Sequence, residues 1–331
     1  MTTADFMQAL HSVLMERRIE RYTESISSNY THKTHIVYYT QTTHHTPCVY
    51  NPYMVHFTHK TPYTPNTHYT HKTYTTHKEH PTMKQTYAIV NQKGGVGKST
   101  TAHALGAGLA IRGQRVLLID LDQQANLSYA LGVDGAASGS GAVLLGTADT
   151  ASSIVKAQGM DILPADAHLA GADLTITKTG KEYRLREALA PLLDAYDYII
   201  LDTPPAMGIL SVNALTAATQ VIVPVQADIF SLQGVSQLLD TFAAVRQYTN
   251  PGLSVRGLLL TRYSDRAVLS RNVRQMAEEA AKIFDSVVFD TAIREAIAVK
   301  EAQISRASLY EWAPKSNVAA DYMAFVEEVL S

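Results

Sequence analysis

Residues 93–100 read Lys-Gly-Gly-Val-Gly-Lys-Ser-Thr, a spacing suited to holding phosphate. Gly94, Gly95 and Gly97 let the backbone curl until successive N–H groups point at one anion cluster. Val96 and Thr100 belong to the same cradle. Lys98 is placed to reach the β- and γ-phosphates, and the Ser99 hydroxyl to ligate Mg²⁺. A second lysine, Lys93, stands five residues ahead of Lys98. The flanks agree with this reading. Tyr87-Ala-Ile-Val-Asn91 is an apolar β run, and Thr100–Arg112 is an Ala/Leu-rich helical stretch. Strand, glycine loop and helix N-terminus together make an anion site. The ligand predicted is a nucleotide, ATP with Mg²⁺.

Three carboxylates fall where apolar runs end. Asp202 closes Asp-Tyr-Ile-Ile-Leu-Asp and is followed by Thr-Pro-Pro, which stiffens the exit. Its position suits a Mg²⁺ ligand, direct or through water. Asp120 and Asp122 lie in Leu-Ile-Asp-Leu-Asp-Gln-Gln-Ala-Asn. Alternation along a strand is expected to turn both toward the phosphates, one supporting the metal and the other orienting the attacking water. The competing reading makes one of them a helix N-cap. Ser99, Asp202 and one of Asp120 and Asp122 are thus the metal candidates, with the other of that pair left to orient the water. Thr261 and Arg262, where the 255–261 run ends, join the nucleotide-binding set.

These residues need a scaffold that brings strand ends together. Apolar runs at 85–91, 115–121, 160–164, 197–202, 220–226 and 255–261 alternate with helical stretches. Several are continuous Val/Ile/Leu runs, as in strands covered on both faces. The stretch 231–248 carries Leu232, Val235, Leu238, Leu239, Phe242 and Val245 at helical spacing, a core stripe. The Gly/Ala/Ser-rich 134–153 is expected as loop with a short helix. The fold class predicted is α/β: a doubly wound, mostly parallel sheet flanked by helices, with its ligand at the carboxyl ends of the strands.

That domain is expected to span 83–331. Residues 1–82 differ abruptly: Thr-His-Lys recurs at 31, 58, 70 and 76, and 11 of the 13 histidines precede residue 83. Such a tract buries too little apolar surface to offset its chain entropy, so disorder is expected there. Its histidines follow the repeat rather than a metal-ligand spacing, and Met83 is the expected start of the working chain. The only cysteine, Cys48, lies in the same tract, which leaves 83–331 without thiolate or iron–sulfur ligands. No run approaches the ~20 apolar residues of a membrane span, and a cytoplasmic location is expected. A net charge of −2 argues against bulk attraction to nucleic acid, leaving local patches.

With Lys-Gly-Gly-Val-Gly-Lys-Ser-Thr, Asp-Leu-Asp-Gln-Gln-Ala-Asn and Asp-Thr-Pro-Pro read together, the chain resembles the ParA/Soj partition ATPases. These belong to the deviant Walker-A P-loop class that includes MinD. The resemblance covers about 84–331, including Val223-Pro-Val-Gln226 and Ala313-Pro-Lys-Ser-Asn317. It implies an ATP-dependent sandwich homodimer that binds DNA without sequence preference, near the nucleoid. A ParB-like centromere-binding partner then stimulates hydrolysis and releases it. In that scheme Lys93 crosses to the partner's phosphates, Lys98 and Ser99 hold nucleotide and Mg²⁺, Asp122 positions the water, and Asp202 is the Walker-B acid. Two departures stand out. Gln123 and Ala125 replace the family's Pro and Gly, so a less kinked segment is expected. Arg294-Glu-Ala replaces a Pro-Arg-Asn stretch, and Ala298 stands at a commonly basic position.

Candidate phosphate contacts to DNA are Arg262, Arg266, Arg271, Arg274, Arg294, Lys300 and Arg306. A solvated helix face explains Arg271 and Arg274 equally well, with Glu278 spaced to pair with Arg274. The runner-up function is a MinD-like or cargo-positioning ATPase adaptor acting on membrane or protein. A metabolic P-loop enzyme, such as a biotin-pathway ligase, is a further alternative. The acidic residues of Asp321-Tyr-Met-Ala-Phe-Val-Glu-Glu-Val-Leu-Ser disfavour anionic lipid.

Overall fold

The computed structural model describes residues 84–264 and 268–331; the readings made on 1–82, on Met83 and on Arg266 lie outside them. Strands form at Gln85–Ile89 (β1), Val116–Asp120 (β2), Val155–Ala157 (β3), Met160–Leu163 (β4), Tyr198–Asp202 (β5), Gln220–Gln226 (β6), Ser254–Tyr263 (β7) and Val288–Arg294 (β8). They make one sheet in the order β3-β4-β2-β5-β1-β6-β7-β8. Only the β3–β4 pairing is antiparallel. The expected mostly parallel sheet is what forms, and β2 and β5 are buried along their whole length.

Register decides where the site lies. Asp120 of β2 pairs with Asp202 of β5, which pairs with Ile89 of β1. Thr261 of β7 lies between Gln226 of β6 and Ile293 of β8. The strands therefore end along one edge, where ligands bind in sheets of this kind.

On one face, Tyr87, Ile89, Leu118, Ile200 and Ile222 pack against the helices Lys98–Ile111 and Asn317–Leu330. The helices Ile209–Ala217, Ile229–Tyr248 and Val268–Ile283 pack on one another in sequence and cover the other face. Of the stripe expected on the second of these, Leu238, Leu239, Phe242 and Val245 are buried. The side chains of Leu232 and Val235 lie outside the described set.

Two edge strands, β3 and β8, were not among the expected runs. Each is covered on one side at most, so neither carries a continuous apolar run: β8 buries Phe289 and Ile293 and exposes Asp290 and Arg294. The stretch 134–153 holds two short helices rather than one, Ser140–Leu145 and Thr150–Ser153.

Gly108 lets the Lys98–Ile111 helix meet the Asn317–Leu330 helix. A Cβ there would stand 2.5 Å from Val326 and 3.0 Å from the Tyr310 hydroxyl. Helix propensity alone favours alanine by about 1 kcal/mol, but overpacking a filled contact costs roughly 1–3 kcal/mol. Gly108→Ala is expected to lower the denaturant midpoint. A midpoint unchanged or raised would show that the helices part without cost.

Candidate nucleotide site

The 93–100 segment folds as a loop between β1 and the Lys98–Ile111 helix. Gly95 and Gly97 take φ of 76° and 92°, a left-handed conformation that a Cβ penalises. Gly97 is also the helix N-cap, and no side chain caps it. The helix N-terminus thus keeps its main-chain donors for an anion. Two anchors hold the loop from behind. The Thr261 hydroxyl donates to the Val96 carbonyl at 2.9 Å. Asn91 donates to the Pro224 carbonyl at 2.7 Å and accepts from the Lys93 N–H at 2.9 Å. Thr261 therefore serves the site chiefly by fixing the loop.

Lys98 is buried, and its Nζ donates to the Lys93 carbonyl at 3.3 Å. Burial pushes its pKa down, while Asp202 and Asp122 oppose that shift. The loop borders a cavity of about 680 Å³ whose other walls include Asp122, Tyr129, Ile293 and Tyr322. Gln303 lines it too, and its amide donates to the Thr100 hydroxyl at 2.9 Å. Tyr129, Gln303 and Tyr322 went unremarked in the sequence, where nothing in their spacing points to the loop.

Asp202 is fully buried, and neither carboxylate oxygen has a hydrogen-bond partner. Burial, then the charge of Asp120, raises its pKa well above the usual carboxylate range. Ser99 and Lys98 lie close enough to favour the ionised form, Ser99 outside hydrogen-bond geometry. Buried acceptors without a donor are rare. A divalent cation between Ser99 and Asp202 would satisfy these oxygens, and Mg²⁺, which takes oxygen ligands and retains waters, fits the donor set. When bound, such a cation neutralises phosphate charge.

Asp120 and Asp122 do not share a face as expected. β2 ends at Asp120, so strand alternation stops there. The Asp120 oxygens accept from the Asp122 N–H at 3.0 Å, from the Ser128 N–H at 2.9 Å and from the Ser128 hydroxyl at 2.7 Å. Burial still raises its pKa, to about 6, against those bonds. Its carboxylate anchors the Asn126–Ala130 helix, whereas that of Asp122 borders the cavity. Among the described residues no group of three or more His, Cys, Asp or Glu could hold a metal, so the three aspartates are not a carboxylate cluster.

The segment after Asp122 is kinked, contrary to expectation. Ala125 has φ 52° and ψ 32°, and its N–H donates to the Asp122 carbonyl at 2.8 Å. The turn survives the loss of glycine, and alanine bears the left-handed strain. Lys93, expected to reach a second subunit, is paired within its own chain: Nζ stands 2.5 Å from Asp228, both side chains partly buried.

The basic residues divide. Arg262, at φ 50°, lies 3.9 Å from Glu295, and both border the cavity with Arg294 and Lys300. Arg294 grips Asp321 through two bonds of 2.6 and 2.8 Å. Arg274 donates to the Asp290 carbonyl at 3.3 Å and lies over the Tyr263 ring, in place of the expected Glu278 pair. Arg306 meets Asp134 at 3.1 Å and covers the Tyr129 ring. Arg271 and Lys300 are exposed.

A sequence profile described as an AAA domain matches residues 84–255. The sporulation initiation inhibitor protein Soj of Bacillus subtilis is 40% identical over 253 residues, 75% of this chain and 98% of Soj. The chain belongs to the ParA/Soj family of P-loop ATPases. The chromosome partitioning protein ParA of Caulobacter vibrioides is 39% identical over 251 residues, 74% of this chain and 93% of that protein. A crystal structure described as cobyrinic acid a,c-diamide synthase from Mycobacterium smegmatis, with ADP and magnesium bound, superposes with TM-score 0.65. It is 37% identical, over 75% of this chain and 94% of that one. The MinD ATPase of Pyrococcus furiosus superposes with TM-score 0.61 at 27% identity, over 75% and 99% of the chains.

A buried carboxylate without a donor, as at Asp202, sets ligand binding against stability. Asp202→Asn should stabilise the metal-free protein at pH 7.5 by roughly 1–3 kcal/mol, and abolish any melting shift on adding Mg²⁺ with nucleotide. The sign follows from the raised folded pKa. The wild-type group loses stability as pH rises above its unfolded value, so the gain fades on acidification toward pH ~4. A variant less stable than wild type in chelator would contradict this. Ala125→Gly should add about 0.5–1 kcal/mol by relieving the left-handed alanine, read as a rise in denaturant midpoint; no rise would place Ala125 in unstrained backbone.

Proposed function

We propose that this chain is an ATP-driven partition switch. Mg-ATP, held by the 93–100 loop with Ser99 and Asp202, closes a homodimer, and the dimer binds DNA without sequence preference on the nucleoid. A ParB-like centromere-binding partner stimulates hydrolysis to ADP and phosphate and so releases the dimer. Lys93 carries the reading. Lys98 suffices to hold a nucleotide within one subunit, and a second lysine at the mouth of the loop supplies charge for the phosphates of another. Asp122, at the cavity edge, is the residue proposed to position the attacking water.

A membrane-acting reading is less well supported. The apolar face of the Asn317–Leu330 helix is spent on the core through Val318, Tyr322, Phe325, Val326 and Val329. Its Asp321 and Glu327 pair with Arg294 and Arg112. Among the described residues no helix is long and apolar enough to cross a membrane. For DNA, Arg262, Arg271, Arg274, Arg294 and Lys300 are the proposed contacts, and the four arginines would have to serve phosphates beside the interactions they already make within the chain.

Co-sedimentation with non-specific DNA tests the reading, run with ATP, with ADP and without nucleotide. Binding should require ATP and fall with salt by about 0.9 log units per log of salt for each phosphate contacted. Equal binding in all three states, or none, would reject the DNA switch. Lys93→Ala should abolish stimulated hydrolysis while retaining nucleotide. Asp122→Ala should accumulate ATP-bound dimers on a sizing column, and normal turnover in that variant would remove Asp122 from the mechanism.

A further inference from the structure

The helix Ile209–Ala217 begins directly after the 203–208 loop, which leads away from Asp202. Its N-cap is Gly208, which has no side chain to accept from the first turn. The acceptor comes from elsewhere in the chain. Asp173, on the Ala172–Thr175 turn, accepts the Ile209 N–H at 2.7 Å. A carboxylate there also meets the positive end of the helix dipole.

Gly208 shows the same contact from the other side. Its φ of −86° and ψ of −163° are extended backbone open to any residue. What excludes a side chain is Asp173 itself: an added Cβ would stand 2.5 and 2.6 Å from its carboxylate oxygens. A side chain at 208 would have to displace that carboxylate, so the glycine makes room for the cap rather than for the turn.

Other bonds tie the loop at both ends. The Thr203 hydroxyl donates to the Ile89 carbonyl at 2.8 Å, and the Ser211 hydroxyl to the Ala206 carbonyl at 2.6 Å. Pro205, between these anchors, borders the nucleotide cavity.

We propose that Asp173 is a positioning residue for ATP hydrolysis, capping this helix from outside so that the 203–208 loop is held against the cavity. The proposal rests on the ATPase reading above. Asp173 is not among the residues that line the cavity; it acts through Ile209 and Gly208.

The test compares full-length wild type with Asp173→Ala, Asp173→Asn, Gly208→Ala and the pairs Asp173→Ala/Gly208→Ala and Asp173→Ala/Gly208→Ser. Affinity for a fluorescent ATP analogue, kcat and KM for Mg-ATP, and melting temperature are measured. Asp173→Ala should lower kcat about five-fold with KM within about two-fold of wild type. Gly208→Ala should do the same, because its methyl displaces the carboxylate. The alanine pair should lose no more than either single change, since both remove one contact. Serine at the N-cap restores an acceptor in place, so the Ala/Ser pair should recover kcat. Asp173→Asn, which keeps an accepting oxygen, should stay near wild type and serves if Asp173→Ala does not fold. An unchanged kcat in Asp173→Ala with a lowered melting temperature would make the cap merely structural and overturn the proposal. Additive losses in the alanine pair would also overturn it. A wild-type chain that binds no ATP would instead refute the reading beneath it.

Discussion

The pairing of β2 with β5 sets the Asp120 and Asp202 carboxylates side by side in the sheet, both fully buried. Like charges in a medium of low dielectric repel each other, and each has also lost its water. Much of the surrounding structure answers that constraint. Ser128 spends its N–H and its hydroxyl on Asp120, which draws the segment after Asp122 into its turn. Asp202 receives no hydrogen bond and is balanced only by the charge of Lys98 and the nearness of Ser99. Lys98 is in turn buried, which pushes its pKa down, and Asp202 and Asp122 oppose that shift. The site is thus an unfinished charge arrangement. One carboxylate is satisfied by the fold; the other is not, and the Mg²⁺ proposed to arrive with phosphate would complete it.

Two small residues show how backbone and side-chain demands separate. Ala125 occupies a left-handed turn where glycine would be relaxed, and Gly208 occupies an ordinary extended position where glycine is not needed for its dihedrals. Their identities would look interchangeable in composition, yet the physical reasons are opposite. Ala125 is retained against local strain because Asp120–Ser128 and the Asp122 carbonyl hold the turn from both sides. Gly208 is small because a carboxylate from a distant segment comes to the helix end. Both residues sit on segments that leave the sheet beside the cavity, where conformational change on nucleotide exchange would be focused.

What could be read from the sequence follows the range of the interaction. The 93–100 loop was legible because its chemistry is local: glycines, lysines and a hydroxyl at fixed spacing before a helix. The central strands were legible because burial on both faces makes continuous apolar runs. β8 was not, since an edge strand covered on one side at most carries no continuous apolar run, and with it went the wall of the cavity at Ile293. The partners of Asp120 and Arg294 were illegible for a different reason. Ser128 lies only eight residues from Asp120, but its role depends on a turn that the Ala125 substitution argued against. Asp321 sits on the helix that seemed to matter only for its acidity.

That acidity matters for the whole charge balance. A chain of net charge −2 has no global field to draw it to DNA, and Arg294 and Arg306 already serve carboxylates of the same molecule. Any attraction to nucleic acid must therefore come from placing a few exposed cations side by side, which a second copy of the chain doubles without altering the fold. Lys93 obeys a related logic. Asp228 holds its ammonium in a partly buried ion pair, so in the proposed switch a phosphate would have to compete with that carboxylate. A terminal phosphate carries more charge than one carboxylate, and a diphosphate lacks it. In the proposed switch the Lys93–Asp228 pair would thus set a threshold that the γ-phosphate is chemically suited to cross.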